Sequence, residues 1–300
     1  MKKFWSGFGW AVICGLVVLA AFGIQVIASV VATLLFSVPM GIEIAQKGIT
    51  DPNVIMEMSA KVTQQAIPVA LVAGHILLVI VFALWYRFGL KQPIVKNVKA
   101  VMTGKTILVA VLLAFGMGCA TNFAMPLLIQ IYPESSVAYY EQLMEQAAIG
   151  VSVISNIAAI LVAPIGEELI FRGVIFKFAE KATSKMDNRK IAFWIANTIQ
   201  AFMFGLFHAN FVQGSYAFVM GLGFGYLAKR FNSVLPCMLG HMVINGSSVL
   251  IWNNINGFIP ENNFVYALGS AVFIAVCVVA LKMGGACVNK EEAVAETVAE

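Results

Sequence analysis

Charged side chains are scarce in this chain. They make up 11% of its 300 residues, whereas a soluble domain typically carries about a quarter. Hydrophobic residues make up 60%, and the mean hydropathy is +0.88. This composition excludes a soluble globular domain and gives no basis for nucleic-acid binding. It predicts one integral membrane domain over residues 1–300, with the lipid bilayer as its main surrounding.

The short motifs of several hydrolase classes are also missing. The five cysteines are scattered without a C-x-x-C pair, which argues against a disulfide or a thiolate metal site. The chain has no H-E-x-x-H motif of a metalloprotease helix. It also lacks the G-x-S-x-G turn that exposes a nucleophilic serine. Any hydrolysis is therefore expected to use an activated water.

Long apolar runs dominate the rest of the chain. A helix that spans a bilayer needs about 20 mostly apolar residues. Eight runs meet this criterion: 8–38, 67–88, 107–132, 147–170, 191–208, 213–228, 233–252 and 264–283. The fold class predicted is all-α, a polytopic membrane protein with about eight transmembrane helices. The fourth run is expected to continue through Phe178, and the polar tail 288–300 is predicted to be disordered.

The basic residues predict the orientation. With the N-terminus in the cytoplasm, only Lys47 and Lys61 of the 19 Lys and Arg residues fall on the outer side. Loops on the cytoplasmic side of membrane proteins carry such an excess. Both termini are therefore predicted to be cytoplasmic.

Three charges interrupt the apolar pattern in the stretch APIGEELIFRG, residues 163–173. A charge at membrane depth costs at least about 2.5–3.5 kcal/mol and usually marks function. Glu168 and Arg172 are four residues apart and share one helix face, where they can pair. Glu167 points about 100° away from Glu168. We therefore expect Arg172 to neutralise Glu168 while Glu167 faces a cavity.

Two later runs carry further polar groups at helical spacing. Phe204 and His208 are four residues apart, as are His241 and Asn245. A carboxylate and a histidine can activate a water, and a second histidine and an asparagine can stabilise an oxyanion. His75 has no polar partner at helical spacing and is interpreted as structural or lumen-facing. Proton-coupled transporters bury the same residue types, so the residues alone leave that function open.

The motifs EExxxR at 167–172, FxxxH at 204–208 and HxxxN at 241–245 occur in this order along the chain. This set resembles the CPBP family of intramembrane proteases. The family includes type II CAAX prenyl endopeptidases and bacterial relatives linked to bacteriocin maturation or self-immunity, the Abi group. The resemblance covers about residues 147–252, which would form the catalytic core.

The resemblance implies a role for each motif residue. Glu167 would be the general base that activates water, with His208 as its partner. His241 and Asn245 would bind the oxyanion of the tetrahedral intermediate. Three further residues would support and shape the site: Glu168, Arg172 and Phe204.

The catalytic type stays open between two forms. Zinc could bind at Glu167, His208 and His241, whose donor types suit it, or the mechanism could be metal-independent and rest on the glutamate. The cavity around the site is expected at mid-depth, open to the cytoplasm or laterally to lipid.

The resemblance implies an enzyme of the bacterial cytoplasmic membrane. Its substrate would be a membrane-anchored or hydrophobic peptide, such as a prenylated CAAX or bacteriocin-like peptide. Two alternatives remain: a non-catalytic peptide-binding or bacteriocin-immunity protein, and a proton-coupled transporter.

Overall fold

The computed structural model describes residues 2–92 and 98–287. The predicted disordered tail 288–300 lies outside the described residues. Within them, nine helices longer than ten residues and one short turn at Val98–Val101 account for the regular structure, and no strand occurs. The helices are α1 (Lys2–Lys47), α2 (Pro52–Gly89), α3 (Gly104–Leu128), α4 (Glu134–Gln146), α5 (Val153–Thr183), α6 (Arg189–Phe207), α7 (Phe211–Phe231), α8 (Leu235–Phe258) and α9 (Asn263–Gly284).

Seven of these helices are long and apolar enough to cross a membrane, the exceptions being α4 and α7. The predicted fold class, an all-α polytopic membrane protein, is confirmed. The predicted run 213–228 lies in α7, which has 21 residues. Polar side chains in its first two turns, Gln213, Ser215 and Tyr216, make it less apolar than the other seven.

The first two helices extend well beyond their apolar runs. α1 has 46 residues and is about 70 Å long at 1.5 Å per residue, which is more than twice the ~30 Å hydrocarbon core. α2 begins at Pro52, with Asp51 accepting a 2.8 Å hydrogen bond from the Asn53 amide as its N-cap. The adjoining ends of α1 and α2 therefore project together beyond the bilayer.

The helix ends rich in Lys and Arg lie together at one end of the molecule, called here the basic end. Lys229 of α7 bonds Glu180 of α5 at 2.9 Å. Arg230 donates to the Gly284 carbonyl of α9 at 2.6 Å. The Lys181 ammonium lies 4.7 Å from the ring centroid of Trp10 near the start of α1. These contacts place the start of α1 and the ends of α5, α7 and α9 at the same end of the molecule.

The fourth apolar run forms a single helix of 31 residues, α5, which passes Phe178 and ends at Thr183. Its continuation through Phe178 is confirmed. Two stretches within it, Ala158–Val162 and Leu169–Ile175, are π-helical. The first directly precedes Pro164, whose ring would clash with a carbonyl in a regular α-helix. The wider turn accommodates Pro164 while the helix continues to the glutamates.

Glycines bring α6 and α7 into backbone contact. A Cβ at Gly205 would lie 2.7 Å from the carbonyl oxygen of Gly214, and a Cβ at Gly221 would lie 2.9 Å from the Cα of Ala201. Close helix packing in a membrane depends on such small residues. The antiparallel pair α6–α7 forms the wall of the molecule that faces α5.

Candidate active site

The charges of α5 pair as their spacing predicts. Arg172 Nη1 donates to Glu168 Oε1 at 2.9 Å, and both side chains are fully buried. Glu167 is also buried, with 7% of its surface exposed, and it faces a cavity. The two neighbouring carboxylates therefore stand in different surroundings: one is held by a cation, and the other is open to a substrate.

Two phenylalanines enclose the guanidinium of Arg172. Its Cζ lies 4.3 Å from the ring centroid of Phe204 and 5.0 Å from that of Phe224. Nε and Nη2 of Arg172 have no hydrogen-bond partner among the described residues. The ring faces compensate in part through cation–π attraction, which is stronger where water is excluded. Phe204 therefore holds the cation and also lines the cavity, as the resemblance implied.

His241 of α8 connects the two glutamates. Its Nδ1 lies 2.8 Å from Glu168 Oε1, and its Nε2 lies 3.7 Å from Glu167 Oε2. The ring stacks on Phe224 with a centroid distance of 5.3 Å. With Glu168 ionised, Nδ1 carries the proton of this hydrogen bond. Nε2 then faces Glu167 and the cavity.

His208 caps the C-terminal end of α6. Its Nδ1 lies 2.9 Å from the Phe204 carbonyl, and a carbonyl can only accept, so Nδ1 carries a proton. In the neutral ring Nε2 is then the acceptor. His208 lines the same cavity as Glu167.

Asn245 of α8 lines the cavity as well. Its Nδ2 donates to the carbonyl of Ala159 at 2.8 Å. Ala159 belongs to the first π-helical stretch of α5, so this bond ties α8 to α5 beside the glutamates. An asparagine amide has two N–H donors, and one of them remains for a ligand.

His75 of α2, interpreted from the sequence as structural or lumen-facing, lies beside Glu167. Its Nε2 lies 3.5 Å from Glu167 Oε1, and its side chain lines the cavity. Spacing along one helix could not reveal this, because the partners of His75 lie on α1 and α5. The one sequence feature that could have singled out His75 is that a histidine within an apolar run is costly to bury in the membrane. All three histidines of the chain thus lie around one buried carboxylate.

The cavity has a volume of about 620 Å³, within the usual range for ligand pockets. It extends from Glu167 to α4, away from the basic end. Its wall includes side chains that sequence spacing did not single out: Asn122, Tyr140, Leu143, Met144, Gln213, Ser248 and Trp252.

The opening of the cavity, expected to the cytoplasm or laterally to lipid, stays a prediction. Val174 and Ile175, which lie between Arg172 and the basic end, are each fully buried. Close packing on that side leaves access from the α4 end or from the lipid.

Zinc binding at Glu167, His208 and His241, which all line the cavity, stays a prediction. His75 Nε2 is nearest to Oε1 of Glu167, whereas His241 Nε2 is nearest to Oε2. These two nitrogens therefore lie nearest to different oxygens of the carboxylate. Within residues 2–92 and 98–287, no group of three His, Cys, Asp or Glu side chains is placed to hold a metal ion.

No curated protein and no solved structure matches the chain. Residues 150–247 match the family model described as type II CAAX prenyl endopeptidase Rce1-like. The matched segment includes the glutamates, His208, His241 and Asn245, but not His75. The family domain supports intramembrane endopeptidase activity in general. About a third of the chain, residues 150–247, thus resembles an Rce1-like endopeptidase domain, which is consistent with a CPBP-family intramembrane protease.

Proposed function

We propose that this protein cleaves peptide bonds of membrane-associated peptides with a water activated by Glu167. The observation that carries the proposal is the environment of this one carboxylate. It is buried, it faces a cavity, and one imidazole nitrogen lies near each of its two oxygens. Its neighbour Glu168 is held by Arg172 and cannot compete for the same role.

The fixed tautomer of His208 supports water activation. A water has two protons, and Glu167 and the Nε2 of His208 provide two acceptors in one cavity. A water that donates to both presents its lone pair to a peptide carbonyl. Its proton passes to Glu167 as its oxygen attacks the carbonyl carbon. The leaving amine takes up that proton when the C–N bond breaks.

His241 and Asn245 are proposed to stabilise the oxyanion. Asn245 offers its second amide N–H, and its bond to Ala159 fixes the direction of the amide. His241 donates from Nε2 when its ring carries two protons. A preorganised donor in a site without bulk water accelerates such reactions by about 10²–10³-fold.

The position of the cavity favours a peptide that reaches Glu167 from the α4 end or through the lipid. α4 turns Tyr140, Leu143 and Met144 toward the cavity, whereas its acidic residues Glu141 and Glu145 are exposed. In the predicted orientation this is the outer side of a bacterial cytoplasmic membrane. A transporter needs a path to both faces of the membrane. The buried side chains between Arg172 and the basic end disfavour such a path.

The test compares wild type with Glu167→Gln in detergent, on a library of membrane-anchored, prenylated CAAX and bacteriocin-like peptides read by mass spectrometry. Glu180→Gln is the matched control, because Glu180 lies on the same helix but pairs with Lys177 and Lys229 at the basic end. We expect wild type and Glu180→Gln to cleave and Glu167→Gln to be inactive.

A zinc chelator, added to each sample, tests the proposed metal-free step, which it should leave unchanged. Equal cleavage by wild type and Glu167→Gln would overturn the role of Glu167. Failure of wild type on every peptide, together with normal cellular function of Glu167→Gln, would favour the peptide-binding alternative.

A further inference from the structure

α2 lies directly against the segment of α5 that carries the glutamates. A Cβ at Gly166 would be 3.4 Å from Val79 Cγ2 and 3.5 Å from the His75 carbonyl oxygen. This contact places His75 beside Glu167, although 92 positions separate them along the chain (167 − 75). His75 is therefore brought beside Glu167 by the packing of α2, a helix that lies outside the family-matched segment 150–247.

Local hydrogen bonding fixes the tautomer of His75. Its Nδ1 lies 2.7 Å from the Leu71 carbonyl oxygen, which can only accept, so Nδ1 carries the proton. Nε2 is then the acceptor of the neutral ring. The Gln25 amide of α1 lies 3.5 Å from this Nε2. A Cβ at Gly74 would overlap the Gln25 side chain, so the glycine gives Gln25 access to His75.

This arrangement makes Glu167 and His75 two proton acceptors that face each other. Glu167 Oε1 and His75 Nε2 are 3.5 Å apart, and both are buried. Two facing acceptors attract each other only when a proton lies on one of them or a donor bridges them. His241 faces the other oxygen, Oε2, so the Oε1 side belongs to His75.

We propose that His75 is the proton partner of Glu167 in catalysis. The proposal rests on the proposed function, since it assigns the route of the proton that Glu167 removes from water. His75 acts through Glu167 and is a positioning residue: it keeps the carboxylate oriented and ready to act as a base. The charged and titratable groups around Glu167 also include His208, His241, Arg172, Glu168 and Tyr216.

The step is balanced in protons and bonds. The water oxygen bonds the carbonyl carbon, and the water proton moves to Glu167. The proton passes from Oε1 to Nε2 of His75, which leaves a carboxylate and an imidazolium. When the C–N bond breaks, the proton returns through Glu167 to the leaving amine. The products are a free carboxyl group and a free amino group.

Histidine-selective ¹⁵N NMR tests the pair without any substrate. The chain has only three histidines, so each ring can be assigned from the signals lost in a single variant, His75→Gln for this one. The resting pair is a carboxylate and a neutral ring, so the spectra are recorded on acidified samples in which the pair has taken up one proton. In wild type we then expect the His75 Nε2 signal between the values of protonated and unprotonated nitrogen. In Glu167→Gln it should move to the unprotonated value, and in Glu180→Gln it should not move. An unprotonated Nε2 in all three proteins would overturn the proposal.

Kinetics separate the proton role from a merely structural one. We expect His75→Gln to lower kcat about 100-fold, near the low end for a positioned proton acceptor, with KM unchanged. Ile76→Ala, a 44% exposed neighbour on α2, should keep both constants. An unchanged kcat in folded His75→Gln would overturn the proposal. If wild type cleaves nothing, the proposed function fails, and the NMR comparison still decides whether the proton is shared. The NMR comparison also remains decisive if His75→Gln does not fold. Variants of the other two histidines then identify the signals of those rings, and the remaining signals belong to His75.

Discussion

His241 Nδ1 lies 2.8 Å from Glu168 Oε1, although 73 residues separate the two along the chain. The same oxygen accepts a hydrogen bond from Arg172 at 2.9 Å. One atom of a fully buried carboxylate thereby joins a cation on its own helix to a ring on α8. Glu168 thus determines both the charge balance of the site and the direction in which His241 points.

Removal of the Glu168 charge should destabilise the protein strongly. In Glu168→Gln the buried Arg172 loses its anion, and breaking a buried ion pair costs about 3–5 kcal/mol. We expect a clear loss of thermal stability in detergent, measured by the unfolding midpoint. Glu180→Gln, whose partners lie at the partly exposed basic end, should change the midpoint far less. Equal midpoints of the two variants would contradict the importance of the buried pair.

Phe204 should support the site through its contact with Arg172 as well as through its packing in the core. Its ring lies on Arg172 and also contacts His208 and His241, with centroid distances of 4.9 and 5.7 Å. A buried Phe→Ala change costs about 3–5 kcal/mol. Phe204→Leu should keep most of the packing but lose the face that holds the cation. We expect Phe204→Leu to reduce cleavage while remaining folded.

Phe202→Ala is the control for Phe204, because Phe202 lies on the same helix and is 53% exposed. It should retain both stability and cleavage. Full cleavage by Phe204→Leu would show that the aromatic contact with Arg172 does not support the site.

Asn245→Ala should lower kcat by about 10²–10³-fold if the amide donates to the oxyanion. KM should change little, because the charge on the oxyanion develops only in the transition state. The matched control is Asn254→Ala on the same helix, whose exposed amide donates to the Leu250 carbonyl at 2.9 Å. The measurement is steady-state cleavage of one peptide found in the library. Equal rates of the two variants would remove Asn245 from the oxyanion role.

The α4 wall should control access to the cavity. Leu143→Trp adds bulk on the cavity side and is expected to lower kcat/KM at least tenfold, or about 1.4 kcal/mol. Gln142→Trp, one residue earlier on the exposed side of α4, should leave kcat/KM near the wild-type value. If both variants cleave normally, the peptide reaches Glu167 by another route, between the helices from the lipid.

Features that depend on one helix were predictable from the sequence. The Glu168–Arg172 pair follows from a spacing of four residues, and the passage of α5 beyond Phe178 follows from the apolar pattern. Seven of the eight apolar runs form helices that are long and apolar enough to cross a membrane. These properties follow from local geometry and from the cost of exposing polar groups to lipid.

Features that depend on packing between helices were not predictable. The partner of His75 is 92 residues away, and the side of Glu167 on which the cavity lies follows from how α4, α7 and α8 meet. The length of α1 was also underestimated, because its end projects from the bilayer and needs no apolar pattern. Family motifs could not supply these features, since they describe only residues 150–247.

The π-helical stretch Ala158–Val162 holds one residue more than a regular turn would. Deletion of a single residue there would restore an ordinary α-helix and leave the direction of the following residues unchanged, because the wide turn absorbs the extra residue. Deletion of a residue between this stretch and Glu167 would instead rotate the glutamates by about 100°, so that Glu167 would leave the cavity and Glu168 would take its direction. Lipid-facing side chains of this stretch, such as the 47% exposed Leu161, can vary in identity. The number of residues between Val162 and Glu167 cannot change, so α5 should tolerate substitutions and the loss of one residue within Ala158–Val162, but no insertion or deletion between that stretch and the glutamates.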